Sequence, residues 1–215
     1  SDTADRASLM NFDRSLSRHQ SAYRNSGRSR GRAQNIRLAA KLIDGVLIEP
    51  GADLSFNEVV GPRTFARGFE GAKEIAGGHV IDGVGGGVCQ VATALHDAAL
   101  RAGFEIVEHY VHSKRPRYAG RGIDTAVAWG LKDLRVRNPF REPVLVRAQA
   151  YDRTLELTLV AGFDGPKVEV DTRVVEGSVR DTLNPMVVAR TRTIHWPGGP
   201  IATTHKLRYR PEPRD

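Results

Sequence analysis

One cysteine, Cys89, occurs in 215 residues. A single thiol excludes an intrachain disulfide framework and a zinc site built from several cysteines. No uninterrupted apolar run approaches the ~18 residues that a membrane-spanning helix requires. The opening SDTADRAS lacks the basic start and apolar core of a secretory signal, so localisation is not read from the beginning of the chain. The basic stretch RNSGRSRGR (residues 24–32) has no interleaved aromatic side chains, and so lacks the stacking platforms of a nucleic-acid tail.

What is present is ordinary in bulk and unusual in one place. Hydrophobic residues at 40% and charged residues at 27% indicate a globular protein, and the length allows one good-sized domain with an attachment. Formal charge is 32 − 25 = +7, mostly from Arg, which favours an anionic partner: nucleic acid, a membrane surface or an acidic cell-wall polymer. Residues 1–31, polar and basic, are expected as a solvated arm.

Along the chain, NIRLAAKLIDG (residues 35–45) has helical periodicity, with Ile36, Ala39, Ala40 and Ile43 on one face and Gly45 as a stop. Leu54 and Phe56 alternate as in a short strand. Residues 57–87 are glycine-rich and predict loops with brief strands, HVID among them. A second helix is expected over about residues 88–101, ended by Gly103. FEIVEHYV, LRVRNPF, VLVRAQAY and TLELTLVAG then predict strands, and KVEVDTRVVEG, MVVARTRTIHW and HKLRYRP predict a small all-β extension beyond residue 162. The fold class is α+β: two main helices packed on an antiparallel sheet, with a small all-β C-terminal extension. The expected division is an arm over 1–31, a domain over 32–162 and the extension over 163–215.

The unusual place is VGGGVCQVATALHDAALRAG (residues 84–103), where Cys89 follows three glycines at the start of the second helix. A dinucleotide loop fits poorly, because its third glycine would be Val88. A Lys-Ser/Thr phosphate loop is excluded by Cys89-Gln90. A buried, inert cysteine is a fair alternative. A nucleophile is the sharper reading, since the unpaired N–H groups of a helix N-terminus favour thiolate over thiol. Glycine-loop N–H groups and the Gln90 amide would then steady an oxyanion. A thiolate acting on amides needs a proton donor. His96 lies ~10 Å along the helix, too far for direct contact. His79 precedes the glycine loop, and His112 in VHSKRPRY is followed by Asp124 in GRGIDTAV. Cysteine on a helix, then histidine, then an acid is the chain order of papain-like thiol enzymes. A metal site from Cys89, His79 and His112 is a further alternative.

Three blocks, PGADLSFNEVVGPRTFARGFEGAKEI, VIDGVGGGVCQVATALHDAALRAGFEIVEHYVHS and GIDTAVAWGLKDLRVRN, resemble the VanW family, named after an accessory protein of glycopeptide-resistance clusters. The resemblance runs from about residue 35 to 160. It implies an exported, cell-envelope context and an anionic wall polymer such as peptidoglycan as partner. The motif positions that match are Gly85, Gly86, Gly87, Cys89, Gln90, Thr93, His112, Ser113 and Asp124. Ala92 and His96 stand where serine and tyrosine are expected.

With the resemblance included, the expectation is a cysteine-dependent acyl-transfer enzyme, peptidase or transpeptidase, acting on peptidoglycan peptides. Cys89, His112 and Asp124 are the expected catalytic residues. Gly85, Gly86, Gly87, Gln90, Thr93 and Ser113 are the expected substrate-binding set. No cofactor, metal or nucleic acid is expected. The alternative is a non-catalytic peptidoglycan- or peptide-binding module that receives a carboxylate at the glycine turn.

Overall fold

A computed structural model describes residues 11–76, 79–178 and 184–210. In chain order its elements are β1 (Arg14–Ala22), α1 (Arg30–Ile43), β2 (Leu47–Ile48), β3 (Asp53–Ser55), α2 (Phe56–Val60), β4 (Gly71–Ala76), β5 (His79–Val84) and α3 (Val88–Ala102). There follow β6 (Glu105–Glu108), β7 (Arg135–Arg137), β8 (Val144–Tyr151), β9 (Thr154–Ala161), β10 (Lys167–Glu176), β11 (Met186–Trp196) and β12 (Gly199–Tyr209). The protein is α+β, with a separate all-β sheet at its C-terminal end. Among the described residues, no helix is long and apolar enough to cross a membrane.

Period-two alternation builds the main sheet. In β9, Leu155, Leu157 and Leu159 are all fully buried, while Glu156, Thr158 and Val160 take the outer face. β9 pairs with β8 through a tight turn at Asp152-Arg153, and β2 and β1 complete the order β1-β9-β8-β2, antiparallel throughout. Helices α1 and α3 pack on this sheet through Ile36, Ala39, Ala40 and Ile43 and through Val91, Leu95 and Ala99. Strands β3, β7 and β6 form a second sheet, β4 and β5 a hairpin, and β10, β11 and β12 an antiparallel meander.

Three expectations are corrected. Residues 14–22, read as part of a solvated basic arm, are an edge strand. The inward face of β1 is polar, which hid it from a hydrophobic pattern. Ser17 Oγ donates to the Ala98 carbonyl (2.7 Å), His19 Nδ1 meets Asp97 Oδ2 (2.8 Å), and Ser21 Oγ accepts from Gln90 Nε2 (3.1 Å). Helix α1 begins at Arg30, inside the basic run rather than at Asn35. Phe56 does not continue a strand but opens α2. Ser55 Oγ accepts the Glu58 main-chain N–H (3.0 Å), an N-cap announced by the spelling Ser-Phe-Asn-Glu. The remaining stretch to residue 87 holds a 3-10 turn at Phe65–Arg67 and the β4–β5 hairpin.

Helix α3 is buried almost all round: each of its residues except Cys89 and Arg101 is removed from solvent. Its polar positions survive there because each meets a partner from a different element. Gln90 and Asp97 bind β1, Thr93 binds the main chain of Thr125, and His96 binds the carbonyl of Ile123. Asp97 loses solvation, but bonds from His19 and the charge of Arg101 outweigh that loss and hold its carboxyl below the usual value. A depressed folded value stabilises the fold above the unfolded pKa, and that stabilisation is lost as pH falls through the folded value. Asp97→Asn should therefore destabilise the protein by ~1.5–3 kcal/mol at neutral pH, as expected for a charged hydrogen bond. In urea titrations the deficit should shrink below pH ~4, where protonation removes the same charge from the wild type.

Candidate active site

The N-terminal end of α3 opens into a cavity of about 410 Å³. Its walls include Gly85, Gly86, Gly87 and Cys89, together with His112, Tyr118, Trp129, Arg32 and Arg63. The glycine turn is tight for a packing reason. A Cβ at Gly86 would lie 2.4 Å from the carbonyl oxygen of Lys73, in strand β4, so only glycine lets the hairpin lie against the helix start. Asn35 on α1 pins the same turn, its Nδ2 donating to the carbonyls of Gly86 and Glu70 at 3.0 Å each.

Cys89 is half-buried at the cavity wall, with its Sγ 3.6 Å from the carbonyl of Val127. His112, from the segment after β6, lines the same cavity and is electrostatically coupled to the sulfur. The His112 ring is oriented from behind: Nδ1 donates to Asp124 Oδ2 (2.9 Å), and the main-chain N–H of His112 donates to the same oxygen (2.9 Å). That leaves Nε2 for the sulfur. Asp124 is fully buried, and its other oxygen, Oδ1, accepts a 2.6 Å bond from the Tyr209 hydroxyl.

These contacts define a charge state. Burial alone would raise the Cys89 thiol, but the hydrogen bond and charge of His112, with the charge of Arg63, bring it below its ordinary value. Burial alone would lower His112, but its bonds to Asp124 and Cys89 raise it to about 9. Both shifts favour the thiolate–imidazolium form of the pair over the neutral one, and that charged form is the one that can attack a carbonyl and then protonate a leaving amine.

Not all of the residues expected at the site are there. Gln90 is buried with its amide already committed: Nε2 donates to Ser21 Oγ and the Ala22 carbonyl, and Oε1 accepts from Arg32 (2.8 Å). It has nothing left for an oxyanion. Thr93 is also buried, its hydroxyl accepting the Thr125 N–H (2.9 Å), so it supports the Asp124 segment from behind. Ser113 does not line the cavity; its carbonyl instead accepts the N–H of Arg210 (2.8 Å). The N–H groups of Val88 and Gln90 close onto Gly85 and Gly87, so the glycine turn offers fewer donors than expected. His96 is buried away from the sulfur, stacked on His109 with ring centroids 4.0 Å apart. The side chain of His79 lies outside the described residues. Among the described residues, no three His, Cys, Asp or Glu side chains gather as a metal site.

Three cavity residues escaped the sequence reading. Tyr118 stands edge-on to His112, with centroids 6.4 Å apart. Its buried hydroxyl lies beside Thr93, whose own hydroxyl is engaged with Thr125, and finds no hydrogen-bond partner among the described residues. Arg32 lies over the Tyr118 ring and donates to Gln90. Arg63 donates to the Gly61 carbonyl (3.0 Å) and to Asn57 Oδ1 (2.7 Å). Both guanidiniums thus bond neutral acceptors, and neither forms an ion pair with a described carboxylate. Only the adjacency of Tyr118 to the His112 segment was visible in sequence.

Because Cys89 is the sole thiol, alkylation of the whole protein reads it alone. The rate of iodoacetamide modification should rise with a midpoint below the ~8.5 of a free cysteine. In His112→Ala the midpoint should return to ~8.5 or above, since burial then acts unopposed.

The family of VanW like proteins matches residues 31–160. Over 131 residues, 61% of the chain, the protein is 41% identical to the uncharacterized protein YoaR of Bacillus subtilis, of which the match covers 43%. Over 109 residues, 48% of the chain, it is 30% identical to the Vancomycin B-type resistance protein VanW of Enterococcus faecalis, of which the match covers 40%. The chain thus spans less than half the length of these curated relatives. No solved structure matches it. With the family match covering Cys89, His112 and Asp124 and more than half of the residues, the chain belongs to the VanW family.

Proposed function

We propose that the protein is a cysteine-dependent acyl-transfer enzyme of the bacterial cell envelope, acting on peptidoglycan peptides. The observation that carries this reading is the cavity wall shared by Cys89 and His112, with the buried Asp124 bonded to the histidine from behind. The Cys89 thiolate attacks a peptide carbonyl, forming an S–C bond as the C=O electrons move to oxygen. The tetrahedral intermediate collapses with loss of the amine, which takes its proton from His112 Nε2, leaving a thioester on Cys89. Water or a second amine then gives a proton to His112 and attacks the thioester, regenerating the thiolate and releasing acid or amide. The positive mouth of α3 is the feature suited to the oxyanion.

The cell-envelope setting is supported by the family and by the name of its Enterococcus relative, a vancomycin resistance protein. The net charge of +7 and the two neutral-partnered guanidiniums suit an acidic peptide. Those guanidiniums equally favour a second reading, a module that holds a peptide carboxylate without turnover. Cys89→Ala separates the two.

Peptidoglycan-derived peptides incubated with the protein should yield hydrolysed or amine-exchanged products by mass spectrometry. A mass increment on Cys89 should report the thioester. Cys89→Ala should abolish both while leaving peptide binding within about threefold; product formed by that variant would sink the proposal. Turnover should be bell-shaped in pH. It should rise as Cys89 deprotonates, below ~8.5, and fall as His112 loses its proton near about 9. Arg63→Ala should raise KM for acidic peptides roughly tenfold, the loss of about one charged hydrogen bond, with a smaller change in kcat.

A further inference from the structure

We infer that Tyr209 is a positioning residue that acts through Asp124 on His112, which makes the C-terminal sheet β10–β12 part of the active unit. This rests on the acyl-transfer reading of Cys89 and His112. Tyr209 on β12 and Arg190 on β11 both lie outside the 31–160 stretch that the family matches.

The sheet grips the two segments that carry the histidine and the acid. Tyr209 is 2% exposed, and its hydroxyl donates to Asp124 Oδ1 (2.6 Å) while accepting the N–H of Gly122 (2.9 Å). Burial and the adjacent Asp124 carboxylate raise the phenol far above its ordinary value, so it remains a donor at every working pH. Arg190, also buried, donates from Nη1 to the Gly122 carbonyl (2.9 Å) and meets His96 Nε2 at 3.1 Å. His96 can accept that bond because burial keeps its ring neutral and its Nδ1–H is spent on the Ile123 carbonyl (2.8 Å). On the histidine side, the Arg210 N–H bonds the Ser113 carbonyl, and Val111 packs against Met186, Val188 and Tyr209. Gly122 leaves no space between the two parts. A Cβ there would sit 3.3 Å from Val188 and 3.4 Å from Leu207, at a φ of +75°.

The chemical consequence follows from the two oxygens of one carboxylate. A strong donor on Oδ1 draws charge from Oδ2, the oxygen that holds both the main-chain N–H and Nδ1–H of His112. Tyr209 therefore sets how tightly Asp124 retains the imidazolium proton, and also fixes the rotation of the carboxylate that aims Nε2 at Cys89. The other titratable and charged groups around this pair are His96 on α3, His109 after β6, Tyr118 beside His112, and Arg190 and Arg192 on β11. His109 Nε2 donates to the Asp124 carbonyl (3.0 Å), and burial together with Arg190 lowers the ring to about 4, so it stays neutral. None of these replaces the Tyr209 hydroxyl on Oδ1.

The test follows the His112 ring in the full chain by carbon-13 NMR of labelled histidine, with His112→Gln assigning the resonance. Alkylation of Cys89 is measured in parallel. Wild type should give a His112 midpoint near 9. Tyr209→Phe should move it upward by about one pH unit, the equivalent of one charged hydrogen bond redistributed on the carboxylate. Replacing Tyr209 with 3-fluorotyrosine, a stronger donor of nearly the same size, should move the midpoint downward. This second variant decides the matter if Tyr209→Phe fails to fold. A role confined to stability would lower the melting temperature of Tyr209→Phe and leave the midpoint in place, and that result would overturn the inference. If wild-type His112 instead titrates near ~6.5 and Cys89 near ~8.5, the acyl-transfer reading itself fails and takes this inference with it. A coupled wild-type pair that neither Tyr209 variant disturbs overturns the positioning role alone.

Discussion

A single buried carboxylate constrains the site. Asp124 has no exposure to solvent, and removing an unpaired carboxylate from water costs several kcal/mol even after relaxation. Its two oxygens are compensated by three donors, the His112 main-chain N–H, the His112 ring N–H and the Tyr209 hydroxyl. Those donors come from the segment after β6 and from the end of β12, 85 residues away from Asp124 along the chain. The folded state therefore has to bring the loop, the histidine segment and the C-terminal sheet together at one point. The same requirement selects one tautomer of His112 and leaves its other ring nitrogen unspent on Asp124.

Helix α3 is the second constraint, and it explains why the sulfur sits where it does. Its polar side chains are each bound by a different neighbour: Gln90 and Asp97 by β1, Thr93 by Thr125, and His96 by the Ile123 carbonyl and Arg190. Held by neighbours on several sides, the helix meets open space only at Arg101 in its last turn and at Cys89 in its first. Cys89 occupies that turn. The groups that crowd it, an imidazolium and a nearby guanidinium, favour the thiolate against the cost of partial burial.

The cavity inherits its character from cations that bond neutral acceptors. Arg32 leaves the first turn of α1 to reach Gln90, and Arg63 is tied to Gly61 and Asn57, so both retain net positive charge beside the sulfur. Burial of Arg63 sharpens its field, because fewer water dipoles screen it. An arriving carboxylate or developing oxyanion meets that field at the cavity wall.

Much of this protein could be read from the order of its residues. The two long helices, the strands at 144–151 and 154–161 and the three strands of the final sheet all follow from local periodicity, because apolar spacing and backbone geometry act over a few residues. The cysteine at a glycine-led helix start, the histidine and the acid could be named for the same reason, as residue types in recognisable surroundings. Strand β1 could not, since its inward, half-buried face is made of Ser17, His19 and Ser21, whose partners lie on α3 some 69 to 81 residues away. Nor could the fate of Gln90, which looks free in sequence and is fully bonded in space, or the arrival of Tyr209 behind Asp124. Local pattern determined which elements form and which side chains are reactive. Tertiary structure alone decided which of them meet, because a hydrogen bond between distant segments leaves no period in the chain.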